Sequence, residues 1–444
     1  MIRPPVTAAL STGESGLGRG PLALEIRSRI ATVPLATFMK GLPAAPVGAT
    51  VADIGDLGWV VTRGDLPTPC AVLSASALAH NARVMADYCT AHGVSLAPHG
   101  KTTMAPQLID LQLVHGAWAI TSATVAQTRL FAEFGVDRVL LANEVTDRAG
   151  LSDLARLVRA SDTLEVYMLV DSVTTVRLMD EAFRAESPGR PISVLVELGS
   201  NGGRAGARTI DDVVSVAREV RRTATLRLCG IEGYEGVVPG NDSADSMAVD
   251  GFLDDMVSAL VRVGEEDLLE TPEPIISAGG SIHFDRVVEH FAEADARVVL
   301  RPGCYLIHDH GKYMRRSPLD GHSRGGPRLE PALVVWGSVV STPEPGLAVF
   351  DAGRRDLSFD AGLPVVTGIV PRGGGQLMDA GGQLEVVRLM DQHSIVNVDP
   401  AATVSVGDLV VLGVSHPCTT FDKWRVLPVV DSHGVVVDAV VTYF

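Results

Sequence analysis

The sequence predicts an α/β protein in which a (β/α)8 TIM-type barrel is followed by a C-terminal all-β domain. Three observations lead there. From Asp65 to about residue 300, short apolar runs alternate with amphipathic stretches, the pattern of parallel strands covered by helices. Eight or so such units over about 250 residues suit a closed barrel, whereas a doubly wound sheet rarely holds so many. After about residue 325 the helical period disappears, and β-branched runs punctuated by Gly and Pro take over, which reads as short antiparallel strands.

The elements follow in order. Residues 1–20 are rich in Gly, Ser and Pro and are expected to be disordered. Pro21–Met39 reads as a helix interrupted at Pro34. "PCAVLS" (69–74) is an apolar run and a strand, and 75–93 is a helix with a glycine stop at Gly93. The strand-like runs "VSLAPH", "AWAITS", "VDRVLLAN", "LEVYMLVD", "ISVLVELG", "LRLCGIEGYEG", "PIISAGG" and "ARVVLRPG" then alternate with helical ones. In the last third, "ALVVWGSVVST", "GLAVFDAG", "LEVVRLMDQHSIVNV", "LVVLGVSH" and "VVVDAVVTYF" are strand-rich, and "PRGGGQL" (371–377) is a loop between two of them. The chain thus divides into an N-terminal extension (1–64), partly disordered or joined to the β-domain, a barrel (65–325) and a β-domain (326–444).

The 444 residues are 46% hydrophobic and 20% charged, an ordinary globular balance. A net charge of −16 is a poor match for nucleic acid or an anionic membrane surface. No uncharged apolar run reaches the length of a membrane span, and the first residues lack the apolar core of a secretory signal. Five widely spaced cysteines suit free thiols in a reducing, cytoplasmic setting. Four are expected to fill small apolar sites, with Cys418 as the exception.

On a barrel, reacting groups lie at the C-terminal ends of strands. "SLAPHGKTTMAP" (95–106) ends such a strand. Its Gly100-Lys101-Thr102 is not a phosphate-binding P-loop, because the glycine that motif needs five residues earlier is Ser95. Lys101 is then either a surface lysine opening a helix or a desolvated amine able to form a Schiff base. "ELGSNGGRAG" (197–206) brings Arg204 on a glycine-rich turn, where backbone can approach a ligand. "ISAGGSIHF" (276–284) offers Gly280 and Ser281 as a phosphate cradle at a helix N-terminus. "LRPGCYLIHDHGKY" (300–313), with Tyr305, His308, Asp309 and His310, is read as a polar loop in preference to a metal site. In "VSHPCTTFDKW" (414–424), extended chain would point His416 and Cys418 the same way, with Pro417 stiffening the backbone. They are either core residues or a borderline-soft pair suited to a catalytic Zn²⁺. An amine, a phosphate cradle and a Lewis acid together suit pyridoxal phosphate.

"PHGKT", "GYEG", "GGS" and the late "HPCTTFDKW" resemble the D-serine dehydratase and D-threonine aldolase group, pyridoxal-phosphate enzymes with an alanine-racemase-like barrel and a β-domain. The match runs from about Asp65 to the C-terminus. The resemblance implies that Lys101 binds the cofactor covalently. It implies further that Gly280 and Ser281 hold its phosphate with Tyr305 nearby, that Tyr234 lies beside the ring, and that Arg204 lines the site. His416 and Cys418 would be the metal pair, and the assembly a homodimer. The implied activity is dehydration of a 3-hydroxy D-amino acid to a 2-keto acid and ammonia. The rival is retro-aldol cleavage to glycine and an aldehyde; within the group a thiolate at position 418 leans towards dehydration and a carboxylate towards cleavage. A racemase would leave "HPC" unexplained, and non-catalytic pyridoxal-phosphate carriers lack a β-domain.

Overall fold

The computed structural model describes residues 24–36, 39–239, 247–320 and 327–444. The disorder expected for residues 1–20 lies outside them. The helix expected over 21–39 is present as Leu24–Ala31 and ends before Pro34, which can supply no N–H to continue it.

The first strand, β1 (Cys70–Ser74), does not enter the barrel. It pairs antiparallel with the strand at Leu333–Trp336 and parallel with that at Val429–Val430. Placing residues 65–74 in the barrel is thus corrected. An apolar run buried on both faces reports burial, not its partner.

The barrel consists of β2 (Ser95–Leu96), β3 (Ile120–Ser122), β4 (Arg138–Leu141), β5 (Glu165–Val170), β6 (Ile192–Leu198), β7 (Leu226–Gly233), β8 (Ile275–Ala278) and β9 (Arg297–Leu300). All pair in parallel, in the order β2-β9-β8-β7-β6-β5-β4-β3. Closure comes from the end of β2, where Thr121 donates to Pro98 O at 2.9 Å and Trp118 to Leu96 O at 2.7 Å. Side chains alternate across each strand. Leu140, Leu169, Leu195, Cys229, Ile275 and Val299 form a core of their own inside the cylinder, while Val139, Met168, Val194 and Ile276 join the larger core under the helices. Four of those helices start where the sequence places a capping side chain, at Thr124, Asp147, Ser172 and Thr209, each satisfying an otherwise unpaired backbone N–H.

The β-domain contains β10 (Leu333–Glu344), β11 (Leu347–Phe350), β12 (Val365–Val370), β13 (Met378–Asp379), β14 (Leu384–Leu389), β15 (Ser394–Val398), β16 (Leu409–Gly413), β17 (Val426–Val430) and β18 (Val436–Val441). The main order is β13-β12-β16-β10-β1-β17-β18, with β11, β15 and β14 continuing from β10. "LEVVRLMDQHSIVNV" is a hairpin: β14 and β15 meet at a turn where Met390 donates to His393 O at 2.8 Å. The N-terminal extension packs on this domain. Val61 donates to Gly434 O and Val436 to Trp59 O, both at 2.9 Å. A Cβ on Gly55 would sit 2.6 Å from Val437 O, so this close approach requires glycine.

Candidate active site

A cleft of about 970 Å³, counting its mouth, opens at the C-terminal ends of the barrel strands, and the β-domain closes one side. Of the expected residues, Lys101, Arg204, Tyr234, Gly280, Ser281, His416 and Cys418 all line it.

Lys101 sits in a tight turn, Gly100–Thr102, directly after β2. A Cβ on Gly100 would approach Phe131 Cζ to 2.5 Å and Ile120 Cγ2 to 3.0 Å. The "HGK" glycine is therefore a packing requirement that seats Lys101, not part of a phosphate loop. The lysine is exposed, and it lines the cleft. Desolvation lowers its pKa, and the nearby Arg204 and Arg301 lower it further, against the Cys418 thiolate. An amine so placed is unprotonated, and so nucleophilic, more often than a surface lysine. Beside it His99 is half-buried in the cleft wall. Burial first, then Lys101 and the two arginines, hold it neutral, and its Nδ1 has no partner.

Arg204 comes from the loop after β6 and stands over the Tyr234 ring, 5.4 Å from its centroid. Tyr234 ends β7. Two glycines make room for its ring: a Cβ on Gly236 would meet Tyr234 Cζ at 2.4 Å, and one on Gly280 would meet Cε2 at 2.8 Å. Burial, reinforced by Glu235, pushes the Tyr234 phenol up to about 12, so it stays neutral.

The glycine turn after β8 differs from expectation in one respect. Glu235, fully buried, accepts from Gly279 N at 3.0 Å and from Gly280 N at 2.6 Å. The Gly280 N–H is thus spent on a carboxylate and is not free for phosphate. Ser281 and the turn that follows it still face the cleft. Tyr305 is a second correction. It is 1% exposed, does not line the cleft, and hydrogen-bonds Gln112 from within the core. Its neighbour Cys304 faces the cleft instead, since adjacent residues in this turn point to opposite sides. In the stretch 300–313, Asp309 accepts from Gly311 N at 2.8 Å and Tyr313 N at 3.0 Å, at the start of the short helix Lys312–Arg316.

Arg301 lies at the end of β9. Its guanidinium pairs with Glu232 and donates to Gly233 O at 3.0 Å, while Nε lacks a partner. Glu232 in turn neighbours Glu197 and Glu144. Burial, Glu232 and a hydrogen bond with Glu144 push Glu197 up to about 10, so Glu197 holds a proton at neutral pH.

His416 and Cys418 converge, but not through extended chain. Pro417 is helical (φ −60, ψ −44) and a short helix, Cys418–Phe421, follows. His416 Nδ1 lies 2.6 Å from Asp360 Oδ2, leaving Nε2 free to face Cys418. Burial opposes protonation of His416, but Cys418 and Asp360 outweigh it and lift the imidazole to about 9. The hydrogen bond from Cys304, with help from His416 and against burial, holds Cys418 well below the usual thiol range. Cys304 Sγ lies 3.6 Å from Cys418 Sγ, and ligand atoms of Cys304, His416 and Cys418 lie within 4.8 Å of one another. Among the described residues this is the sole such group. Cys304 therefore departs from the expectation that it fills an apolar site, whereas Cys70, Cys89 and Cys229 meet it. Cys304 stood in a quoted motif without a role, and nothing in the sequence marked Asp360.

Two family models match. One described as "Putative serine dehydratase domain" covers residues 332–430, and one described as "Alanine racemase, N-terminal domain" covers residues 73–306, more than half of the 444. The chain is 29% identical over 370 residues to a 3-hydroxy-D-aspartate aldolase of Paracoccus denitrificans (strain Pd 1222), covering 82% of this chain and 89% of that one. It is 26% identical over 374 residues to a D-threonine aldolase of an Arthrobacter species, covering 84% and 90%. The crystal structure of D-threonine aldolase from Filomicrobium marinum superposes with a TM-score of 0.72 at 25% identity, over 87% of this chain and 96% of that one. D-threo-3-hydroxyaspartate dehydratase from Delftia sp. HT23 shares the fold, with a TM-score of 0.68 at 20% identity over 86% and 99%. The chain belongs to the alanine-racemase N-terminal domain family, and within it to the D-serine dehydratase and D-threonine aldolase group.

Proposed function

We propose that this chain is a pyridoxal-phosphate- and divalent-metal-dependent dehydratase that converts a 3-hydroxy D-amino acid to a 2-keto acid and ammonia. The observation behind this reading is that a desolvated amine, Lys101, and an imidazole–thiolate pair, His416 and Cys418, face one cleft.

The residues fit both groups. Unpartnered buried nitrogens on His99 and Arg301 lie in the cleft walls, where a ligand would satisfy them. Lys101 would hold the cofactor's aldehyde carbon, Tyr234 and Arg204 would flank it, and Ser281 would bind its phosphate. When bound, the cofactor supplies an electron sink for the carbanion at the substrate's α-carbon. His416 and Cys418 would hold the metal, a Lewis acid for the substrate's β-oxygen. Lys101, once displaced by substrate, has an amine that can take the α-proton, and its lowered pKa suits that task at neutral pH. Asp360 holds His416 through Nδ1, which would leave the other ring nitrogen for the metal, the arrangement that metal-bound histidines need.

Retro-aldol cleavage is the second reading, favoured by the aldolases among the relatives. The two share every residue above and differ in which bond breaks. The deciding experiment is product analysis over D-serine, D-threonine and 3-hydroxyaspartate, with and without chelator. Ammonia and 2-keto acid in equal amounts, lost on chelation, support the dehydratase. Glycine and aldehyde support the aldolase, and neither product from any of them overturns both.

A further inference from the structure

We infer that Cys304 is a third protein ligand, making the metal centre a two-thiolate, one-imidazole site with one open position. The inference rests on the proposed metal role of His416 and Cys418. The first argument is distance. Two sulfurs on one tetrahedral zinc, each about 2.3 Å from it, stand about 3.8 Å apart, and Cys304 and Cys418 are 3.6 Å apart. The second is chemistry. The Cys304 side chain has the Tyr313 hydroxyl as a hydrogen-bond partner, the kind of donor that steadies a metal-bound thiolate from outside. Its backbone is anchored too, since Cys304 N donates to Ser281 Oγ at 3.3 Å. The third is placement: Cys304, His416 and Cys418 all border the cleft that holds Lys101, so the open position faces substrate.

Two consequences follow. Two thiolates select a soft or borderline ion such as Zn²⁺ over Mg²⁺ or Mn²⁺. They also join the domains, because Cys304 follows barrel strand β9 while His416 and Cys418 belong to the β-domain. Metal binding should therefore clamp the β-domain over the barrel mouth and raise the melting temperature.

The test is metal binding by the full chain, read without activity. Zinc affinity is measured by chelator competition, and cobalt binding by the difference spectrum between cobalt-loaded and metal-free protein. Cys304→Ser should weaken zinc by more than about 100-fold and remove about half of the thiolate-to-cobalt charge-transfer band, as ligand count dictates. It should also abolish most of the zinc-induced rise in melting temperature. A Cys304→Ser protein with unchanged zinc affinity and a full cobalt band, beside a Cys418→Ser protein that loses both, overturns the third ligand and leaves the two-residue site standing. Failure of the unmutated protein to bind zinc at all overturns both. Should Cys304→Ser not fold, the cadmium chemical shift of the unmutated protein decides, since it separates one sulfur ligand from two.

Discussion

Replacing Glu232 by glutamine tests whether a buried charge pair holds Arg301 against the cleft. The two side chains are 2% and 5% exposed. Taking the charge from one partner leaves the other uncompensated, at a cost of about 3–5 kcal/mol. Glutamine keeps the shape and one acceptor, so a loss near the lower end, about 3 kcal/mol, is expected. The neighbouring carboxyl should respond in the opposite sense. Glu197 is 4% exposed and is protonated at neutral pH, its pKa raised from 4.5 to about 10 by burial and by Glu232. Since the folded value lies above the unfolded one, its contribution to stability is full below pH 4.5 and declines as the pH rises towards 10. By neutral pH the decline amounts to roughly 3 kcal/mol. Glu197→Gln removes that dependence, so it should be neutral or stabilising at neutral pH and should flatten the alkaline fall. Urea unfolding of both variants across neutral and alkaline pH is the assay. Equal losses from the two substitutions at neutral pH would refute the assignment of charge to Glu232 and of a proton to Glu197.

Lys101→Ala should keep the fold and cut turnover by at least about a thousandfold, and it should abolish borohydride trapping of the cofactor; trapping that persists points to another lysine. Asp360→Asn should leave thermal stability of the metal-free protein nearly unchanged while weakening zinc about 10- to 100-fold, read by chelator competition. Burial holds His308 and His310 down to about 4, from an ordinary 6.5. A depressed histidine contributes nothing adverse above pH 6.5, and stability is lost as the pH falls from there towards 4. The loss from His308 reaches about 3 kcal/mol. His308 has φ 53, a conformation asparagine accepts. His308→Asn should accordingly reduce the acid loss, and an unchanged stability–pH profile would count against this cause.

Which parts were legible follows from the range of the physics. Alternation of strand and helix is written in local periodicity, so β2–β9 and their helices could be read directly. Lys101 and Arg204 were legible because a barrel makes the ends of its strands its working face, whatever lies between. Other features depend on partners far along the chain. Asp360 reaches His416 from 56 residues away, and Glu235 takes the N–H of Gly280 from 45 away, which no spacing rule foretells.

By itself, then, the sequence determined the two architectures and seven of the residues that meet in the cleft. Periodicity, glycine placement and residue chemistry are properties of the chain alone. Only the tertiary structure decided that β1 belongs to the antiparallel sheet, that Cys304 and not Tyr305 faces the cleft, and that a helical Pro417 brings His416 and Cys418 together. Each of these turns on which way a side chain or strand edge points, and that direction is set by packing against groups remote in sequence.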